Sequence, residues 1–180
     1  MLFRSVLIQD ENSQRVCVFA DVKPGEKVLD VCSAPGTKTV QLAAMMQNQG
    51  SILALDIHSH RIKLVEQLVE KSGATIISTK VADATNLPVD IKEGMFDTVL
   101  IDAPCSGLGV LRRKPDIKMT IQPADLDGIQ KLQEAILNES SACVKVGGHL
   151  VYATCTINKK ENQLQVQSFL STHPQFRSEE

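Results

Sequence analysis

Five short, nearly continuous apolar runs are spaced along the 180-residue chain: Val28–Cys32, Ser51–Asp56, Thr75–Val81, Thr98–Asp102 and His149–Thr154. Apolar runs of this length, with no regular polar alternation, suit strands buried on both faces of a parallel sheet. Stretches with helical character lie between most of them: Thr37–Gln47, Ser59–Lys71 and Pro123–Val144. The third carries Asp125 and Asp127 in its first turn and Lys145 just past its end, with Gly147-Gly148 as an expected stop. A last helix over Lys160–Leu170 presents Val166, Phe169 and Leu170 as its apolar face. The alternation predicts an open α/β fold with a mostly parallel, doubly wound sheet, in one domain over residues 1–180.

The ends break this pattern. Met1–Ala20 reads as a strand and helix that would lean on something upstream, and Phe176–Glu180 stops where another strand is expected. The chain is therefore expected to be a fragment of a longer protein, with a sheet lacking its last strands. No internal repeat or low-complexity segment interrupts it.

Composition narrows the reading. Apolar residues make up 43% and charged residues 22%, enough for a packed core; with one Tyr and no Trp, that core must be aliphatic. The net charge of -2 lacks the basic excess of a free-standing RNA-binding module. Five cysteines (Cys17, Cys32, Cys105, Cys143 and Cys155) form no CxxC pair, which speaks against a disulfide framework or a zinc site and for a reducing, cytoplasmic setting. Cys17 and Cys143 read as buried apolar residues. His58, His60 and His173 read as solvated, and His149 as the start of a strand. No signal peptide is visible in this stretch, and no apolar run in it approaches the roughly 20 residues of a membrane span.

Candidate chemistry collects at the strand ends. The first strand leads through Cys32-Ser33-Ala34-Pro35-Gly36-Thr37-Lys38 into a helix. Small residues there let a ligand approach the backbone, and the N–H groups of the helix start favour an acidic group. Lys38 would add positive charge. Asp56, Asp83 and Asp102 follow the second, third and fourth strands. Carboxylates at such positions accept ribose hydroxyls and an adenine amine, so an adenosyl ligand fits. The loop is neither GxGxxG nor GxxxxGK[ST], which argues against a pyrophosphate. Arg61, on the helix after Asp56, is either a support for the cofactor edge or a plain surface residue. Cys105 and Cys155 follow the fourth and fifth strands and would share the cofactor's edge of the sheet.

Three motifs in order are familiar. Cys32-Ser33-Ala34-Pro35-Gly36-Thr37-Lys38-Thr39 is similar to the CxAPGGKT loop of the Nop2/Sun RNA cytosine-C5 methyltransferases. Asp102-Ala103-Pro104-Cys105-Ser106-Gly107 resembles their DAPCSG motif, and Thr154-Cys155-Thr156 with Glu161-Asn162 resembles their TCS…EEN motif. Gln9–Gln14 and Arg112–Lys118 resemble the bacterial RsmB (Sun/Fmu) branch, which modifies 16S ribosomal RNA.

The resemblance implies a Rossmann-like fold and S-adenosyl-L-methionine as cofactor. It implies that Cys32, Ser33, Ala34, Pro35, Gly36, Thr37 and Lys38 hold the methionine part, that Asp56 binds the ribose, and that Asp83 lies beside the adenine. Asp102 would stand between cofactor and base. Cys155 would bond to cytosine carbon 6 and Cys105 would assist proton removal and release. A thiolate suits this work, because carbon 5 needs covalent attack at carbon 6 before it accepts a methyl group. No metal is implied.

The chain departs from the pattern at Thr37, where the family has a second Gly; a β-branched residue would be strained there if φ were positive. Thr156 replaces the usual Ser, and Lys159-Lys160 stand where Pro-Glu is common. The resemblance also implies RNA-binding domains upstream, which are expected to lie outside this stretch of sequence. The basic residues Arg112, Arg113, Lys114 and Lys118 are expected to face RNA, the target base must leave its stack, and the chain is expected to be a monomer. Two other readings remain: a cofactor-binding module without turnover, and a nicotinamide-dependent dehydrogenase.

Overall fold

A computed structural model describes residues 8–92 and 95–178. In chain order the elements are α1 (Glu11–Ala20), β1 (Lys27–Asp30), α2 (Thr37–Met45), β2 (Ser51–Asp56), α3 (Ser59–Ser72), β3 (Ile77–Val81), β4 (Phe96–Asp102), α4 (Ile117–Thr120), α5 (Pro123–Ser141), β5 (Val144–Ala153) and α6 (Gln163–Thr172). The five strands form one sheet in the order β3-β2-β1-β4-β5. Every pairing is parallel. The fold is α/β, as the alternation predicts, and Rossmann-like, as the resemblance implies.

The core has two halves because the sheet is covered on both faces. Val28, Ile52 and Leu100 point to one side, where they meet Cys17 and Ala20 of α1 and Leu42 and Ala43 of α2. Leu29, Leu55, Val99 and Ile101 point to the other, against Ile136 and Leu137 of α5 and Phe169 of α6. This is the period-2 alternation of a strand used twice over. Each such Leu or Ile, fully buried, contributes about 1.5–3 kcal/mol.

Cys17 and Cys143 are fully buried, as expected, and burial pushes their thiols up to about 12 and about 11 respectively. Helix α1 leans on this chain's own α2 through Cys17, whose thiol donates to the Lys38 carbonyl at 3.7 Å. The strand expected ahead of it falls on residues 1–7, outside the described residues.

Three local expectations are corrected. Helix α5 ends at Ser141, and Gly147-Gly148 lie inside β5 rather than after a helix. The strand pairs Val144 with Phe96 and then His149 with Thr98, so Lys145–Gly148 bulge out of register. Sheet pairing decided this, with Lys145 held by Asp97 at 2.6 Å and Gly147 taking φ 80. Helix α6 begins at Gln163, not Lys160, where the Asn162 side chain accepts from the Gln163 N–H at 2.6 Å. His173 is half-buried and stacks on Phe169 at 4.1 Å between ring centroids.

Candidate active site

Strand order reverses between β1 and β4, and at such a point the carboxyl ends of the strands open a crevice. A cleft of about 1090 Å³ lies there. The loop after β1 forms one wall. Ser33 ties it to β2: its N–H and its hydroxyl both donate to the Leu55 carbonyl, each at 2.8 Å. The Ala34–Pro35 peptide is cis. The Gly36 N–H closes the turn on the Ser33 carbonyl at 2.7 Å.

Gly36 has φ 104, and a Cβ there would sit 3.1 Å from the Val65 Cα of α3. Backbone sign and close approach both require glycine. Thr37, by contrast, opens α2 and is not among the residues with positive φ. The strain expected at Thr37 is absent, because the left-handed residue is the glycine before it. Cys32, Ala34, Pro35 and Lys38 line the cleft, while Ser33, Gly36 and Thr37 are not among its lining residues.

The three acids lie along the same rim. Asp56 is buried at the end of β2 and accepts from the His58 N–H at 3.1 Å. Arg61 pairs with Asp56 at 3.1 Å and donates to the Ala34 carbonyl at 3.2 Å, bracing the acid against the loop. Asp83 is exposed and fixed in an Asx turn by the Thr85 N–H and hydroxyl, at 2.8 and 2.7 Å. Asp102, half-buried at the end of β4, forms an ion pair with Lys38 at 2.6 Å.

The two cysteines meet on the far side. β4 and β5 are neighbours with Asp102 opposite Ala153, so the loops that follow emerge together. The sulfurs of Cys105 and Cys155 stand 3.2 Å apart, and the Cys155 N–H points at the Cys105 sulfur at 3.3 Å. Both are free thiols, Cys155 exposed and Cys105 half-buried. The hydrogen bond from Cys105 pulls the Cys155 thiol below its ordinary value, with Lys114 assisting against burial and the Asp102 charge. The same bond, with burial, holds the Cys105 proton far more tightly than usual. Low pKa and exposure are what a nucleophilic thiol needs.

A family model described as 16S rRNA methyltransferase RsmB/F matches residues 17–180. The chain belongs to the RsmB/F family. It is 44% identical over 171 residues to a Bacillus subtilis protein named "Probable ribosomal RNA small subunit methyltransferase B", covering 95% of this chain and 38% of that protein. The chain thus spans well under half the length of such relatives. The solved structure of PH0851 is similar with a TM-score of 0.91 and 37% identity, over 93% of this chain and 38% of that one. NSun6 from Pyrococcus horikoshii, solved with SFG, gives a TM-score of 0.83 at 28% identity, over 91% of this chain and 41% of that one. A SAM-dependent O-methyltransferase from Thermotoga maritima shares the fold alone, with a TM-score of 0.63 at 19% identity, over 93% of this chain and 52% of that one.

S-adenosyl-L-methionine is the cofactor of this RsmB/F fold, and the donor set of the cleft fits it. Asp56 and Asp83 offer acceptors to ribose hydroxyls and an adenine amine, and Lys38 a cation to a carboxylate. No group of three or more His, Cys, Asp or Glu side chains among the described residues is arranged to hold a metal ion. No helix among them is long and apolar enough to cross a membrane.

Arg112, Arg113 and Lys114 line the outer mouth of the cleft, where Arg113 pairs with Asp10 at the start of α1. The Lys118 side chain lies outside the described ones. The sequence reading also missed residues. Asp10, Asn12, Ser13 and Val16 line the cleft from the start of α1, a segment expected only to lean on something upstream. Asp30, 1% exposed beneath the loop, accepts from Thr39 at 2.7 Å, and burial pushes it up to about 7. Its position inside an apolar run was the available signal. Gln133 and Ser106 are buried behind the cysteines, and nothing in the helical pattern of α5 marks Gln133.

Proposed function

We propose that this chain is the catalytic part of an S-adenosylmethionine-dependent enzyme that methylates carbon 5 of a cytosine in RNA, with 16S ribosomal RNA as substrate and Cys155 as nucleophile. The observation that carries the reading is the pair of free thiols 3.2 Å apart on the cleft that also holds Asp56, Asp83 and Asp102. The names of the matched family and of its relatives support the ribosomal RNA substrate.

The bound cofactor supplies an electrophilic methyl group. Cys155, the more acidic and more exposed thiol, attacks carbon 6 and makes carbon 5 nucleophilic. Bonding of Cys155 removes the negative charge that holds the Cys105 proton. Cys105 then loses that proton to solvent and takes the proton from carbon 5, after which the Cys155–carbon 6 bond breaks and the thiolate is restored. Asp102, fixed by Lys38, stands between cofactor and base. Cys32, Ala34, Pro35 and Lys38, on a loop shaped by Ser33 and Gly36, and Asp56 hold the methionine and ribose parts, and Arg61 steadies Asp56. The target base must be turned out of its stack to reach the thiols, with Arg112, Arg113 and Lys114 on neighbouring phosphates.

The test is covalent trapping. With S-adenosylmethionine and an RNA bearing 5-fluorocytosine, the protein should form an adduct that survives denaturing electrophoresis, and Cys155→Ala should form none. An adduct that persists in Cys155→Ala would move the nucleophile elsewhere.

A further inference from the structure

Behind the two thiols, a carboxylate is sealed inside the protein. Glu161 is 0% exposed, and four donors converge on it. The Ser106 hydroxyl donates at 2.6 Å and the Asn158 amide at 2.9 Å to one oxygen. The Ser106 N–H at 2.8 Å and the Gln133 amide at 3.2 Å donate to the other. A buried charge is retained only with such a full donor set. Burial pushes this carboxyl up, but the bonds from Ser106, Asn158 and Gln133 outweigh it and hold the group below its ordinary value.

The origin of the donors matters more than their number. Ser106 follows Cys105 directly, and Asn158 lies just beyond Cys155. Gln133 reaches across from α5 and also donates to the Pro104 carbonyl at 2.9 Å. The single Ser106 hydroxyl proton goes to Glu161, so the Thr156 hydroxyl donates to Ser106, at 2.8 Å. The neighbours of both cysteines are thus fastened to one carboxylate. A further tie runs from the Gly109 N–H to the Cys155 carbonyl at 3.0 Å.

We propose that Glu161 is a positioning residue for the thiol pair: its carboxylate fastens the loop after β4 to the loop after β5 and so sets the separation of the Cys105 and Cys155 sulfurs. The importance of that separation for turnover rests on the function proposed above. Glu161 acts through Ser106, Thr156 and Asn158, not on the substrate. A wider separation would weaken the thiol–thiolate hydrogen bond and leave Cys155 a less acidic thiol. The other groups whose charge reaches Cys155 are Asp102 and Lys114, and neither bonds to Glu161.

The test reads the thiol itself. Iodoacetamide labelling of Cys155 in this chain, followed by peptide mass spectrometry across pH, needs neither RNA nor cofactor. Glu161→Gln keeps the shape but sets an amide N–H against the Ser106, Asn158 or Gln133 donors. The labelling midpoint should rise by about one pH unit, a labelling rate about fivefold lower near pH 7. Ser106→Ala, which removes one donor, should shift it less in the same direction. Ile52→Ala lowers the melting temperature from the opposite face of the sheet and should leave the midpoint in place. An unmoved midpoint in Glu161→Gln would overturn the proposal. If that variant does not fold, an unmoved midpoint in both Ser106→Ala and Asn158→Ala would do so. Failure of the unsubstituted protein to trap 5-fluorocytosine RNA would count against the proposed function, while the labelling midpoints would still decide the role of Glu161.

Discussion

The sulfurs of Cys105 and Cys155 stand 3.2 Å apart, within reach of a thiol–thiolate hydrogen bond, although 50 residues of chain separate them. Two thiols this close lose their protons in two unequal steps. The first proton leaves below the ordinary thiol value and the second well above it. Above about pH 7 the pair therefore holds one thiolate and one thiol, the division that the proposed attacking group and proton carrier require.

Removal of the carrier should separate those two tasks. In Cys105→Ala, Cys155 loses its hydrogen-bond donor, and its labelling midpoint should move up toward that of a free thiol. Covalent complexes with RNA should still form but accumulate, with turnover lower by on the order of 100-fold or more. Gel quantification of the adduct against product formation checks this. Turnover by Cys105→Ala at the unsubstituted rate would contradict the role.

The cofactor loop makes an opposite pair of predictions at adjacent positions. Gly36→Ala forces a side chain into φ 104 and toward Val65, so it should cost about 1–3 kcal/mol of stability and most of the S-adenosylmethionine affinity. Thr37→Gly touches a helical position, so it should leave the affinity unchanged and cost only about 0.5–1 kcal/mol. Calorimetric titration and thermal melting of both variants test the pair, with NAD as the control ligand.

Asp30 should make stability depend on pH in an unusual direction. Its folded value of about 7 lies above the ordinary 3.8, so the folded protein binds the proton more tightly than the unfolded chain. Stability then falls as pH rises from about 4 to about 7, and this contribution is flat on either side. Asp30→Asn keeps an acceptor for Thr39 and removes the charge. It should gain roughly 1–4 kcal/mol relative to the unsubstituted protein between pH 5 and pH 8, measured by urea unfolding. Parallel pH profiles for the two proteins would show that Asp30 is not ionising in that window.

Errors in the sequence reading fall where long-range contacts outrank local signals. Gly147-Gly148 carry the marks of a helix stop, yet they serve a bulge because β5 already pairs with Phe96 at Val144. A side chain on Gly148 would strike the Asp97 carbonyl at 2.6 Å, so the small residue is required by the neighbouring strand. Lys160 and Glu161 suit a helix start, yet the carboxylate of Glu161 is drawn into the core by Ser106 and Gln133, and α6 waits for Asn162 to cap it. The Thr37 expectation failed by one position, since a glycine already absorbs the turn.

What the amino-acid sequence determines by itself is local: five apolar runs, the helices between them, the small-residue loop after β1, the acids at strand ends and two cysteines in recognisable motifs. These follow from backbone preference and side-chain chemistry within a few residues. Only the tertiary structure decides which strand lies beside which. The parallel pairing of β4 with β5 brings Asp102 opposite Ala153, and from that register come the sulfur separation, the shared proton and the buried carboxylate behind them. Hydrogen bonds of this kind depend on distances between segments 50 and 55 residues apart, and those distances are set by how the whole sheet closes.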